Sequence, residues 1–177
     1  MTALTHTRII ESFNRSFRVK WNTILVGGFE EPYYQPSHGD CPAEIRFTRD
    51  YARSALHEVA HWCISGENRR ELPDYGYWYR PDGRNLMEQS EFFKVEVKPQ
   101  ALEMAFSERC GISFQVSCDN LHGENSGDER EFERQVRAQL ESFRQQGFPE
   151  RAHIFIEALS AQANASPPEQ SSAISSN

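Results

Sequence analysis

A chain of 177 residues with 38% hydrophobic and 25% charged side chains is predicted to form a single globular domain with one sizeable core. The net charge of −7 and the lack of a basic stripe disfavour direct nucleic-acid binding, which requires clustered cations. No stretch approaches the roughly 18 apolar residues of a membrane span. Because the first residues also lack a signal-peptide pattern, we expect a cytoplasmic protein with no membrane partner.

The first quarter of the chain predicts one helix followed by a small sheet. Residues 5–17 carry apolar side chains at helical spacing, with charged side chains between them. Strands are predicted at 21–26, where a glycine pair ends the first strand, and at 44–48. The residues between them, 29–42, contain three prolines and are expected to form a loop.

A buried helix is predicted over residues 49–65. Thr48 or Asp50 is a suitable N-cap, and Gly66 is a suitable residue just beyond the C-terminus. Cys63 lies on the apolar side of this helix, so we expect it to act as a small buried hydrophobic residue. No two of the four cysteines have C-x-x-C spacing, which agrees with reduced thiols.

This helix contains an H-E-x-x-H motif formed by His57, Glu58 and His61. Two histidines four residues apart lie on one helix face, so both imidazoles can reach one divalent metal ion. Glu58 lies about 100° further round the helix and can approach the open side of the metal without being a ligand. The motif is typical of zinc hydrolases, in which the glutamate is the general base. Two histidines and one carboxylate also describe a non-haem Fe(II) oxygenase.

The third protein ligand is expected to be a carboxylate. Glu96 stands between two valines, which indicates a partly buried position where an unpaired carboxylate would be costly. A metal ion would compensate the buried charge, and a salt bridge to an arginine of the 69–70 pair is the alternative. Glu91 and Glu103 are weaker candidates. Spacing alone therefore leaves both zinc and iron open.

The remainder of the chain is predicted to be mainly helical. Helices are expected over 88–109 and 128–146, with a possible extended piece at 112–116, and a proline opens the last helix. Residues 162–177 are rich in Ser, Ala and Pro, which predicts a disordered tail after a single catalytic domain at 1–161. The predicted fold class is α+β, a helix-rich domain with a small sheet.

Several segments resemble the elongation factor P hydroxylase family, in order and without large gaps, from about residue 31 to residue 155. The segments are LHEVAHWCI at 56–64, RREL at 69–72, YGYWY at 75–79, PDGR at 81–84, VEVKPQAL at 95–102 and VSCDNL at 116–121. Together they are far more specific than H-E-x-x-H alone. The departures lie in the N-terminal region and in the tail, and neither departure touches the motif.

The resemblance implies a hydroxylase that acts on the β-lysylated lysine of translation elongation factor P with Fe(II) and dioxygen. It implies the metal ligands His57, His61 and Glu96. With iron bound there, we expect Glu58 to be a catalytic residue that orients an iron-bound water or the substrate ammonium. It also implies a fold similar to that of the metal-dependent endoribonuclease of ribosomal RNA maturation. The electron donor stays open, because no binding motif for 2-oxoglutarate, flavin or pterin is recognisable.

The polar and aromatic connection at 67–88 is the expected contact region for a cationic substrate. Glu71, Asp74, Tyr77 and Tyr79 are predicted to receive the substrate ammonium by charge pairing and cation–π contact. A purely structural role for each of them is the alternative, since the connection also has the pattern of a hairpin or lid. Two competing functions remain: a zinc-dependent peptidase or ribonuclease, and a non-enzymatic partner-binding module.

Overall fold

The computed structural model describes residues 3–76, 85–118 and 129–165. This part of the chain folds into a helix-rich α+β arrangement, which confirms the predicted class. The helices are α1 (His6–Phe17), α2 (Ala52–Ile64), α3 (Glu67–Arg70), α4 (Leu86–Cys110), α5 (Glu129–Gln146) and α6 (Glu150–Asn164), and the strands are β1 (Thr23–Phe29), β2 (Tyr33–Gln35) and β3 (Ala43–Thr48). None of the described helices is long and apolar enough to cross a bilayer. The implied likeness to the endoribonuclease fold stays a prediction.

The sheet has the strand order β1-β3-β2, with β3 in the centre. Ile45 of β3 pairs with Leu25 in the parallel β1 and with Tyr34 in the antiparallel β2. The prediction that residues 29–42 form only a loop is wrong, because the three residues of β2 pair with β3 there. A strand of three residues between prolines is too short to show the alternation of apolar and polar side chains that predicts a strand. β1 also continues through Gly27, where an added Cβ would lie 2.6 Å from the Phe47 ring.

An aromatic cluster joins the helices behind the sheet. Phe13 and Phe17 of α1, four residues apart, place their ring centroids 5.2 and 4.9 Å from that of Trp62 in α2. Phe155 of α6 packs edge-on against Phe13 at 5.7 Å. All four side chains are fully buried, and each contributes roughly 1.5–3 kcal/mol of hydrophobic stabilisation. The cluster therefore fixes the apolar face of α2 against α1 and α6.

The N-terminal end of α2 differs from the prediction. The helix begins at Ala52, and Tyr51 occupies the N-cap position without a side-chain hydrogen bond. Thr48 and Asp50 are therefore not its caps. Instead, the backbone N–H of Thr48, at the end of β3, donates a hydrogen bond to the Ser54 hydroxyl of α2 at 3.1 Å. The local sequence offered two plausible caps, but the turn before the helix places neither at the required position.

The C-terminal end of α2 is held by side chains that lie far away in sequence. Gly66 lies just beyond the C-cap Ser65, as predicted, but its φ of −66° is not left-handed, and it is also the N-cap of α3. Instead, Arg151 of α6 lies with its Nη2 2.9, 3.0 and 2.6 Å from the carbonyl oxygens of Trp62, Cys63 and Ser65. Arg70 donates to the same Ser65 oxygen at 2.6 Å. Two guanidinium groups thus satisfy carbonyls that a helix end leaves unpaired.

Helix α4 carries the second half of the site and has well-defined ends. Asn85 and Glu88 form a reciprocal capping box, and Gly111 closes the helix in the left-handed conformation with a φ of 67°. The helix runs as one element through Pro99. Residues 112–118 are irregular, so the extended piece predicted at 112–116 does not form a strand with any described residue.

The last helix extends past the predicted end of the domain. α6 continues to Asn164, and its Gln162 is 8% exposed and accepts a hydrogen bond from Arg15 at 2.8 Å. Residues 162–164 therefore belong to the helix rather than to the predicted tail. The rest of that predicted tail, 166–177, lies outside the described residues.

Candidate metal centre

The three predicted ligands meet between α2 and α4. His57 and His61 lie one turn apart on α2, and their Nε2 atoms are 3.0 Å apart. Glu96 reaches the pair from α4, with Oε1 3.2 Å from Nε2 of His61 and Oε2 3.7 Å from Nε2 of His57. Among the described residues, these three are the group whose donor atoms converge closely enough to hold one ion.

These distances match the separations between ligands of a single metal ion. Protein nitrogen and oxygen ligands lie about 2.1 Å from a divalent transition metal, so two ligands at right angles are about 3.0 Å apart. The spacings of 3.0, 3.2 and 3.7 Å between the three side chains are close to that value. Three ligands on one side of an ion leave its other positions open, as a reactive site requires.

Burial and charge also favour a cation here. Glu96 is only 3% exposed, and burial alone would raise its pKa; the charge and hydrogen bond of His61, with His57 and Gln100, lower the pKa to about 2. Burial works against a charged His57, but its bond to Glu103 and the nearby carboxylates raise its pKa to about 10. Carboxylate charge thus collects around two imidazoles, and a bound metal ion would replace the proton of His57.

Two buried side chains of α4 support the ligands from behind, and the sequence alone did not assign either of these roles. Glu103 accepts a hydrogen bond at 2.9 Å from Nδ1 of His57, although it was considered only as a weaker ligand candidate. Gln100 donates to Glu96 at 3.3 Å and forms two bonds with the Ser117 backbone, at 2.8 and 3.0 Å. The signal was available: Glu96, Gln100 and Glu103 have i, i+4, i+7 spacing on a buried helix.

The alternatives for the third ligand do not fit the structure. The salt bridge considered for Glu96 is absent from the described residues, because Arg70 bonds to Ser65 and Arg69 donates to the Tyr75 carbonyl at 3.0 Å. Glu91 is exposed and pairs with Lys94. The buried Glu96 carboxylate is therefore the one that the fold presents to both histidines.

Glu58 lies beside the metal-ligand group without belonging to it. Its side chain is half-buried, and it makes no hydrogen bond or ion pair with any residue in the described ranges. Burial raises its pKa, the charges of His57 and His61 oppose that shift, and Glu96 and Asp74 reinforce it. The predicted place of Glu58 on the open side of the metal stays a prediction. Its catalytic role stays a prediction.

The predicted substrate contacts lie in different surroundings. Glu71 is exposed at the end of α3. Asp74 accepts the Tyr34 backbone N–H at 2.8 Å, so it already connects β2 to the turn that follows α3. Tyr77 and Tyr79 lie outside the described residues. Substrate binding by these four residues therefore stays a prediction.

Two cavities lined by described residues each reach one histidine of the pair. The larger, of about 660 Å³, reaches His57, and the smaller, of about 520 Å³, reaches His61. The larger is lined by Leu4, Asp50, Tyr51, Ala52, Arg53, Ser54, His57, Glu58, Glu103, Ile112 and Ser117. Both volumes lie in the range of small-molecule sites. His57 and Glu58 thus share the larger cavity, whereas His61 lines the smaller one.

The helix-rich α+β fold and the His57–His61–Glu96 group define a protein with a candidate mononuclear metal centre. A family model described as elongation factor P hydroxylase matches residues 12–172. The elongation factor P lysine hydroxylase of Haemophilus influenzae (strain ATCC 51907 / DSM 11121 / KW20 / Rd) is 46% identical over 154 residues, which are 86% of each chain. The chain therefore belongs to the elongation factor P hydroxylase family.

Proposed function

We propose that this protein is a cytoplasmic, Fe(II)-dependent hydroxylase that acts on the β-lysylated lysine of elongation factor P. Family membership supports the substrate, because a relative 46% identical over most of its length is named as an elongation factor P lysine hydroxylase. The single structural observation that carries the metal assignment is the buried His57–His61–Glu96 group. Two neutral imidazoles and one carboxylate are the ligand set of non-haem Fe(II) oxygenases.

The three ligands would hold iron and leave its other coordination positions open for dioxygen and substrate. When bound, Fe(II) supplies the activation of dioxygen that an aliphatic C–H bond requires. One oxygen atom enters that bond, and the other leaves as water after taking up two protons and two electrons from an external reductant. The protein's part is to place the substrate carbon beside the open positions and to restrict water.

Glu58 is proposed to act on the substrate or on a water molecule rather than as a metal ligand. Its carboxylate lines the larger cavity next to His57 and has no partner among the described residues, so it is available to accept a hydrogen bond. A substrate ammonium near a half-buried carboxylate forms a charge-assisted hydrogen bond, which is stronger than a neutral one. Glu58 would therefore orient the cationic side chain with respect to the metal.

The larger cavity is proposed to receive the modified lysine side chain. Its lining includes His57, one cation (Arg53) and three carboxylates (Asp50, Glu58 and Glu103). Opposite charge on the wall of a partly dry cleft favours a cationic ligand. The contacts predicted for Glu71, Asp74, Tyr77 and Tyr79 would then concern other parts of the elongation factor.

A zinc-dependent hydrolase is the second candidate, and one observation favours it. Glu58 follows the ligand His57 directly, lines the larger cavity and has no partner among the described residues, so it is available as a general base for a metal-bound water. Metal analysis of protein purified without oxygen separates the two candidates. Stoichiometric zinc, with a hydrolytic activity that disappears on zinc removal, would favour the hydrolase.

Mass spectrometry of the proposed substrate tests the hydroxylase directly. β-Lysylated elongation factor P is incubated with the iron-loaded protein, a chemical reductant and air, and the modified lysine is then analysed as a peptide. We expect a gain of one oxygen atom on that residue and no gain on unmodified elongation factor P. Folded, iron-loaded protein that adds no oxygen would contradict the proposal.

A further inference from the structure

Helix α4 presents a line of buried polar side chains toward the metal-ligand group. Glu96, Gln100 and Glu103 follow i, i+4, i+7 spacing and therefore share one face. They are 3%, 0% and 4% exposed. Buried polar groups are costly unless they are bonded, so each of them is expected to have a specific partner. Only Glu96 is needed as a ligand, which leaves the other two to be explained.

Glu103 contacts the far side of a predicted ligand. Its Oε2 lies 2.9 Å from Nδ1 of His57, while Nε2 of the same ring points to His61, at 3.0 Å, and to Glu96. An ionised carboxylate only accepts hydrogen bonds, so Nδ1 carries the proton in this contact. The other ring nitrogen, Nε2, is then the one left to bind a metal ion.

We propose that Glu103 is a positioning residue that fixes the tautomer and orientation of His57 for metal binding. The geometry argues against a ligand role for Glu103, because its carboxylate lies on the Nδ1 side of the ring and does not belong to the converging donor group. Hydrogen bonds of this kind to a ligating histidine typically change metal affinity by about 10- to 100-fold. The proposal rests on a metal at this site, not on the identity of the substrate.

The two histidines differ in whether Nδ1 of the ring has a hydrogen-bond partner. Nδ1 of His61 has no hydrogen-bond partner among the described residues, and the contacts of this ring with His57 and Glu96 are made through Nε2. His57 is therefore the ligand that the protein holds in place before metal binding. Gln100 has the corresponding function for Glu96, since one amide contacts both its carboxylate and the backbone of Ser117.

The test compares Glu103→Ala and Glu103→Gln with the unaltered protein and with Glu91→Gln as the matched control. Glu91 lies on the same helix but is exposed and pairs with Lys94, away from the ligands. Metal-free protein is titrated with Zn(II) in the presence of a competing chelator. We expect about 10- to 100-fold weaker binding for Glu103→Ala, a smaller loss for Glu103→Gln, which retains an acceptor, and no change for Glu91→Gln.

A spectroscopic measurement separates positioning from a general loss of packing. In ¹⁵N-histidine-labelled protein loaded with Zn(II), we expect one ring Nδ1–H signal that exchanges slowly with water, and we expect it to disappear in Glu103→Ala. If a variant fails to fold, the unaltered protein is sufficient, because its spectrum shows which ring nitrogen of His57 binds Zn(II). Metal bonded through Nδ1 of His57, or wild-type Zn(II) affinity in folded Glu103→Ala, would overturn the proposal. Neither result depends on hydroxylase activity, so the proposed function is tested separately.

Discussion

The face between α2 and α4 and the connection that follows α2 differ in how their charged residues are used. On the helical face, Glu96 and Glu103 are almost fully buried, and each contacts an imidazole. In the connection, Glu71 is exposed and Asp74 bonds to the backbone of β2. Buried carboxylates that converge on two imidazoles indicate a reactive or metal-binding site, whereas a carboxylate bonded to a neighbouring backbone N–H indicates a role in stabilising the fold.

The largest effects are expected from loss of a ligand. His57→Ala, His61→Ala and Glu96→Ala should each abolish stoichiometric metal binding and hydroxylation, because two remaining ligands do not hold the ion at an open site. Metal content of the purified variants and mass analysis of elongation factor P measure both effects. The control is Glu91→Gln on the same helix. A variant that keeps full metal content and activity would remove its residue from the ligand set.

Glu58→Gln should have the next largest effect and distinguishes two roles for the glutamate. Since Glu58 is not in the ligand group, metal content should stay at the wild-type level. A role in orienting substrate or water predicts a loss of hydroxylation of about 10- to 100-fold. Single-turnover rates with iron-loaded protein give the answer. Complete loss with metal retained would instead indicate an obligatory proton transfer by Glu58.

Arg151→Met should lower stability rather than chemistry. The substitution keeps much of the apolar volume over the Trp62 ring, 4.7 Å away, but leaves carbonyls at the end of α2 without their donor. We expect a loss of about 2–3 kcal/mol in the free energy of unfolding, measured by chemical denaturation. The exposed Arg137, which pairs with Glu133, provides the control Arg137→Met with little change. Equal stability of the two variants would contradict this account of the α2 end.

Metal binding should become tighter as pH rises. In the metal-free protein the pKa of His57 is about 10, so this ring carries two protons at neutral pH and must lose one from Nε2 before it binds metal. Between pH 6 and pH 8 we therefore expect rising affinity and the release of about one proton from this ring. Calorimetry in buffers of different ionisation enthalpy measures that number. Binding without proton release would show that His57 is already neutral.

The smallest effect is expected in the connection after α2. Asp74→Ala removes the acceptor of the Tyr34 N–H and should cost about 1 kcal/mol of stability, while iron content stays unchanged. Glu71→Gln, at an exposed position, should change stability by less than about 0.5 kcal/mol. Thermal unfolding and metal analysis check both. A higher KM for elongation factor P in either variant would restore the predicted substrate contact and weaken the contrast between the two regions.

The sequence predicted the parts of the site that depend on regular spacing within a helix. His57 and His61 lie one turn apart and Glu96 is buried, as predicted, although Val95 beside it is 37% exposed. Their role as metal ligands stays a prediction. Glu103 was underestimated because its spacing from Glu96 was not considered as part of a buried polar line. Its contact with His57 joins two helices, and no local pattern states how two helices pack.

The features that failed depend on contacts between distant segments. Gly66 stands at its predicted place beyond α2, but the carbonyls at that helix end are bonded by Arg151, far along the chain, which no local pattern indicates. The strand β2 exists because Tyr34 pairs with β3 and stacks on Tyr75 at 4.3 Å, and three residues among prolines carry no periodic signal. Tertiary contacts therefore override local preference at these positions.

The central claim is that iron at His57, His61 and Glu96 inserts an atom of dioxygen into the modified lysine. The most direct measurement supplies dioxygen labelled with the heavy oxygen isotope to iron-loaded protein and β-lysylated elongation factor P, and determines the mass of the modified lysine. The account predicts incorporation of one labelled atom, with none in Glu96→Ala. An unlabelled oxygen atom, or no gain from folded, iron-loaded protein, would contradict it.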